Sequence, residues 1–231
     1  MNIIIAGGSR GIGKAIAGVL AENGNKVLIT GRNIESLINA QKEIGSNISI
    51  FDADINDVKR VDELANFVGN TFVPDVLILS AAQFPKPETA RSVVDADAEE
   101  LSGIINTNVV SNYRLVKKLL PFLKKSQNPR IIVIGSTAGV RTDNGGVYGI
   151  SKAALINYVY NLRAELKKEN IGVSLINPGA TFTETRRKKS PEDDSLLESK
   201  DFGILVNALL NMSHQAVLER VDIRPLAGDT Y

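Results

Sequence analysis

The chain has 231 residues, 43% of them hydrophobic, with 27 basic against 26 acidic side chains and a formal net charge of +1. That length suits one α/β domain with a substantial core, and so balanced a charge gives no electrostatic grip on nucleic acid or an acidic membrane. The absence of cysteine removes disulfides, zinc–thiolate centres and thiol nucleophiles.

Met1 to Ala6 is a short apolar run with no basic segment ahead of it, and it breaks at once into Gly7-Gly8-Ser9-Arg10-Gly11, so no secretory signal is expected. No stretch approaches the roughly 18 consecutive apolar residues of a membrane span, and the expected setting is cytoplasmic. After the first strand, at 2–6, runs rich in Ile and Val recur at 26–30, 48–51, 76–79, 130–134 and 172–176. They scarcely alternate, as strands buried on both faces do. Helical patterns at 11–23, 34–44, 58–68, 97–125 and 147–170 separate them; 202–212 follows the sixth strand, and 218–224 can add a seventh. Strand–helix alternation throughout, with right-handed crossovers, predicts one α/β domain over 1–231: a Rossmann-type, doubly wound parallel sheet with helices on both faces. The one compositional break is 183–200, polar, with Arg186-Arg187-Lys188-Lys189 followed by Glu192-Asp193-Asp194. It reads as a solvated loop or, alternatively, as a flap over a substrate.

Ala6-Gly7-Gly8-Ser9-Arg10-Gly11-Ile12-Gly13 joins the first strand to the first helix. Glycines there allow a tight turn and close approach to a phosphate, and the helix start offers free N–H groups and a positive dipole end. Two other motifs share these letters. Gly8 to Lys14 fits a nucleotide hydrolase loop, except that Ala15 stands where a magnesium-binding hydroxyl belongs. Gly7 to Gly11 also fits the G-x-S-x-G nucleophile elbow, whose histidine base would have to be His214, the only histidine.

Further along, Ser136 follows the fifth strand in Gly135-Ser136-Thr137-Ala138-Gly139, and Tyr148-Gly149-Ile150-Ser151-Lys152 opens a long helix. Together with the glycine turn, these motifs resemble the single-domain, NADP-dependent short-chain dehydrogenases/reductases over essentially the whole chain. The resemblance implies Tyr148 as catalytic acid/base. It implies Lys152 as the residue that binds the nicotinamide ribose and lowers the tyrosine pKa, and Ser136 as the holder of the substrate oxygen. Asn108, in Asn106-Thr107-Asn108-Val109, matches an asparagine that anchors a water in the proton relay. Gly7, Gly11 and Gly13, with Ser9, Arg10 and Ile12 between them, match the pyrophosphate turn. Asp54-Ile55 matches the adenine contact, Ala81 a position beside the cofactor ribose, and Asn177-Pro178-Gly179 followed by Thr183 the segment that holds the nicotinamide amide. No metal site is implied. Physical chemistry supports the pair independently: Tyr and Lys at i and i+4 share one helical face, and an ammonium beside a phenol favours phenolate. Three features depart from the family pattern. Ala6 replaces a threonine, Ser80-Ala81-Ala82-Gln83 replaces Asn-Asn-Ala-Gly beside the ribose, and the C-terminus is short.

NAD-specific Rossmann proteins carry an acid just after the second strand. Here that strand ends in Gly31-Arg32-Asn33, with no carboxylate to repel a 2′-phosphate and with Arg32, assisted by Arg10, able to pair with it. The expected cofactor is therefore NADP(H), and the expected activity is hydride transfer between it and a ketone or secondary alcohol, in the direction of reduction. The alternative is a non-catalytic NADP(H)-binding sensor or scaffold, suggested by the altered segment at Ser80–Gln83. A small-molecule carbonyl or alcohol is the expected partner. A homodimer or homotetramer is expected as well, through the helices at 97–125 and 147–170, with residues such as Ile156, Val159 and Leu162 facing either the partner or, alternatively, the core against the sheet.

Overall fold

The computed structural model describes residues 1–71, 73–90, 92–140, 145–184 and 195–228. The strands are β1 (Asn2–Ala6), β2 (Lys26–Gly31), β3 (Ile48–Asp52), β4 (Val76–Leu79), β5 (Arg130–Ile134), β6 (Gly172–Pro178) and β7 (Arg220–Ile223). They form one parallel sheet in the order β3-β2-β1-β4-β5-β6-β7. The chain steps outward from β1 through β2 to β3, then crosses back to place β4 on the other side of β1. That reversal opens a crevice at the carboxyl edge, where ligands of open α/β sheets bind.

Register explains why the central strands scarcely alternate. Ile4 pairs with Leu28 on one side and Leu77 on the other, and all three feed a core shared with Val61, Leu64, Leu115, Val159 and Leu175. Their neighbours Ile3 and Ile5 feed the opposite core, with Ile16, Leu20, Leu37 and Phe202. Both faces need apolar residues because both are covered by helices. Helices α1 (Gly11–Glu22), α2 (Ile34–Ile44) and α7 (Ser199–Leu210) cover one face, and α3 (Val58–Thr71), α5 (Asn112–Leu123) and α6 (Gly146–Leu166) the other. The edge strands β3 and β7, each with one neighbour, are the partly exposed ones, and β7 alternates.

The helix expected over 97–125 is not continuous. Asp97 caps α4 (Ala98–Ile105), accepting the Glu100 N–H at 2.6 Å. A π-helical turn then runs Asn106–Ser111 before α5 begins. The cause is a polar insertion: Asn112 Nδ2 donates to the carbonyls of Asn108 at 2.9 Å and Thr107 at 3.4 Å, holding open the ladder it would otherwise close. Ile156, Val159 and Leu162 take the inward of their two expected placements. All three are buried against the sheet, so they belong to the core and not to a subunit surface. The apolar side chains exposed on these helices are Val110, Tyr113 and Ile150. At 183–200, the stretch 185–194 lies outside the described residues. Its flanks are laced together, with Leu197 N–H donating to the Ala180 carbonyl and Phe182 N–H to the Leu197 carbonyl, both at 2.8 Å.

Candidate active site

Most of the residues singled out for the site follow the carboxyl ends of strands: the glycine turn after β1, Arg32 after β2, Asp54 after β3, Ala81 after β4, Ser136 after β5 and Gly179 after β6. Parallel strands bring all these ends to one edge. Gly7, at φ +82°, lies so close to Ala81 that a Cβ on it would stand 2.6 Å from the Ala81 nitrogen. A Cβ on Gly13 would stand 2.2 Å from the Gly7 carbonyl. These contacts fold the turn against β4 and leave the start of α1 facing the edge. Gly11, at φ +57°, has Thr183 over it and donates its N–H to Glu184 Oε2 at 2.8 Å. A carboxylate oxygen on this helix start shows that it receives an anion, the property a pyrophosphate needs. Ser9, half-buried, sits beside Gly31, and Arg10, Arg32 and Asn33 are exposed. Asp54 Oδ1 accepts the Asn56 N–H at 2.9 Å, while the Ile55 side chain is core, so only the backbone of Ile55 remains for a ligand.

Ser136, Tyr148 and Lys152 come together as expected. The Ser136 hydroxyl lies close enough to Tyr148 to draw its pKa down, and Ser136 Oγ accepts the Ala138 N–H at 3.1 Å. Lys152 is buried, with Nζ donating to the Ile134 carbonyl at 3.0 Å and lying 5.6 Å from the centre of the Tyr148 ring. The expected fall in the tyrosine pKa does not appear. Burial pushes the phenol up and Ser136 pulls it only part of the way back, because the ammonium is aimed at Ile134. Burial also pushes Lys152 down to about 8.

Asn108 is fully buried, and its side chain is already engaged. Its Oδ1 accepts the Gln83 N–H at 2.7 Å, and Nδ2 donates to the Gln83 carbonyl at 3.0 Å and to Ser151 Oγ at 2.9 Å. It is a clamp on the chain leaving β4. Its backbone carbonyl is engaged too, accepting from Asn112 Nδ2 at 2.9 Å, so no part of Asn108 is left over for the water-anchoring role expected of it. Gln83, which replaces the family glycine, does not narrow the site toward Tyr148. Its Oε1 accepts the Thr107 hydroxyl at 2.9 Å, which turns the side chain toward the helix.

The geometry closes the nucleophile-elbow motif. His214 lies at the opposite edge of the sheet from Ser9, its carbonyl held by Arg130 at the start of β5. Lys14 is paired with carboxylates, its Nζ 2.6 Å from Glu43 and 3.8 Å from the Glu184 that caps the turn.

A sequence profile described as short chain dehydrogenase matches residues 1–194. The chain belongs to the short-chain dehydrogenase family. An uncharacterized oxidoreductase of Staphylococcus aureus strain MW2 is 30% identical over 227 residues, 96% of each chain. The serine dehydrogenase crystallised in its closed form with NADP+ is 25% identical, with a TM-score of 0.86, over 100% of this chain and 97% of that one. The fold alone is shared with the alcohol dehydrogenase of the archaeon Thermococcus sibiricus, crystallised with 5-hydroxy-NADP. It has 22% identity and a TM-score of 0.87, over 100% of this chain and 98% of that one.

Several residues at the edge of this short-chain dehydrogenase site gave no signal in the sequence. Phe84 is exposed, yet its ring stacks on Tyr148 with centroids 5.0 Å apart. Glu184 reaches the start of α1 from beyond the end of β6, and Asp222 on β7 holds Asn177 of β6 behind Ser136. Each contact joins residues far apart in the chain, so no local spacing marks it.

Proposed function

We propose that this short-chain dehydrogenase is an NADP(H)-dependent oxidoreductase that interconverts a carbonyl compound and a secondary alcohol, working as a reductase. The observation that carries the reading is Ser136 and Tyr148 set together beside buried Lys152 at the carboxyl edge of the sheet. In this reading the adenosine side of the cofactor lies along Arg32, Arg10, Asp54 and Ile55, and its pyrophosphate at Gly7, Ser9, Gly11, Ile12 and Gly13. Ala81 and Lys152 face the nicotinamide ribose, with Tyr148 beside them, and Pro178, Gly179 and Thr183 hold the nicotinamide amide. When bound, NADPH supplies the hydride. Ser136 and Tyr148 donate to the carbonyl oxygen, where negative charge develops. Tyr148 then gives its proton to the alkoxide. A phenol whose burial favours the protonated form is suited to that direction, and Lys152 stabilises the phenolate left behind.

Subunits pair through the outer surface of α5 and α6, where Tyr113 is exposed and meets Tyr158 edge-on at 5.7 Å. The alternative, a non-catalytic NADP(H)-binding sensor or scaffold, differs in one respect: it binds NADPH and turns over no carbonyl compound.

The test follows NADPH absorbance against a panel of ketones, acyl thioesters and sugars, using the parent and Tyr148→Phe. The variant should lose about 10²–10⁴-fold in kcat, the usual worth of a general acid, and keep its NADPH affinity. Near-normal turnover in the variant would overturn the mechanism.

A further inference from the structure

Ser136 stands just past the end of a strand ladder. Gly135 N–H makes the last backbone bond to β6, donating to the Ile176 carbonyl at 2.7 Å. Ser136 N–H donates instead to a side chain, Asn177 Oδ1, at 3.2 Å. Room for that amide exists only because residue 135 is glycine: a Cβ there would lie 2.0 Å from Asn177 Oδ1. The other end of the Asn177 amide donates from Nδ2 to Asp222 Oδ1 on β7 at 2.7 Å. Arg220 grips Asp222 through two bonds, Nε to Oδ1 at 2.9 Å and Nη2 to Oδ2 at 2.5 Å, and its Nη1 donates to the Tyr160 hydroxyl on α6 at 2.9 Å.

We propose that Asp222 is a positioning residue for the reaction: through the fully buried Asn177 it fixes the backbone from which Ser136 presents its hydroxyl. The hydrogen-bonding inventory gives the reason. A peptide N–H can only donate and an ionised carboxylate can only accept, so an amide between them satisfies both in one orientation alone. Asp222 thus dictates which way Asn177 faces, and with it whether Ser136 N–H finds an oxygen or a nitrogen. The guanidinium of Arg220 holds Asp222 below the ordinary carboxylate range, which keeps it an acceptor. An unpaired Ser136 N–H would leave that backbone free to shift, and with it the hydroxyl that meets Tyr148. Misplacement by about 1 Å can cost on the order of a hundredfold in rate.

The effect on turnover rests on the carbonyl reductase reading above; the link itself does not. The full chain, labelled at serine nitrogen, is compared as parent, Asp222→Ala, Asn177→Asp, and Asn177→Asp with Asp222→Asn. Asp222→Ala should move the Ser136 amide resonance and lower kcat about ten- to a hundredfold, with NADPH affinity unchanged. Asn177→Asp sets carboxylate against carboxylate and should be at least as damaging. Adding Asp222→Asn puts a donor opposite the new carboxylate and should restore most of kcat, a recovery that a merely structural brace would not give. If the parent reduces no carbonyl compound, the functional reading fails, and the Ser136 resonance still tests the link. The proposal is overturned if Asp222→Ala leaves that resonance in place, or if the double variant turns over no faster than Asn177→Asp.

Discussion

Lys152 carries its charge into the interior, with its ammonium on a neutral carbonyl and not on a carboxylate. Its pKa inside is about 8, against an ordinary 10.5, so the folded chain binds the proton less tightly than the unfolded chain does. The resulting cost is present in full below pH 8 and fades as pH rises toward the unfolded value. It amounts to on the order of 3 kcal/mol. Lys152→Met should therefore unfold at a higher temperature than the parent at pH 7, by about 2 kcal/mol of stability once the lost bond to Ile134 is allowed for. The advantage should shrink between pH 8 and pH 10.5, while NADPH binding weakens at every pH. Thermal unfolding followed across that range would decide it; a variant less stable at pH 7 would contradict the account.

Arg32 makes the second residue-scale prediction. It is exposed, next to a glycine whose Cβ would meet Ser9 Oγ at 3.4 Å, an ordinary contact. Arg32→Ala should weaken NADPH about tenfold and leave NADH nearly unchanged, since only NADPH has a phosphate for the guanidinium. Gly31→Asp should shift preference toward NADH, because the space holds a carboxylate that would repel the phosphate. Paired cofactor titrations by fluorescence check both, and equal losses for the two cofactors would make Arg32 a bystander.

At the scale of an element, the π-turn decides where the site side of α4 and α5 points. Its extra residue per turn rotates everything after it, and Asn112 keeps it open through the Thr107 and Asn108 carbonyls. Asn112→Leu removes those bonds from a buried position and should cost about 1–3 kcal/mol. The same substitution should loosen the Asn108 clamp on Gln83, so activity should fall further than stability explains. Denaturant titration beside kcat separates the two effects. At the other edge of the sheet, Arg130 is a purely structural clamp. It is buried, bonds the carbonyls of Ser213, His214 and Ala216, and ties the chain after α7 to the start of β5. Arg130→Met should destabilise the fold and leave cofactor affinity unchanged below the melting range.

For the whole molecule, two cores on opposite faces of one sheet make the domain a single packed unit, and the site sits where the strand order reverses between them. Ile156, Val159 and Leu162, expected either there or at a subunit contact, are part of that packing. Val110, Tyr113 and Ile150 are what the two long helices leave exposed. Light scattering at micromolar concentration should give two or four times the 24.9 kDa of one chain, and Tyr113→Glu should shift it toward one. A single-chain mass for the parent would show that the exposed tyrosine serves no contact between copies.

The amino-acid sequence by itself determined the alternation of strands and helices, the doubly wound parallel sheet and the grouping of Ser136, Tyr148 and Lys152. Those follow from unbroken apolar runs and from motifs written locally along the chain. It did not reveal the break at Asn106–Ser111, because an apolar helical pattern reads through a π-turn that one buried asparagine holds open. It also could not say which face of α6 met the sheet, since the helix is apolar on more than one side. Tertiary structure alone placed Asn177 and Asp222 behind Ser136 and Glu184 at the start of α1. It likewise reversed the expected tyrosine pKa. A side chain's protonation depends on how deeply it is buried and where its neighbour's charge is aimed, and spacing along a helix fixes neither.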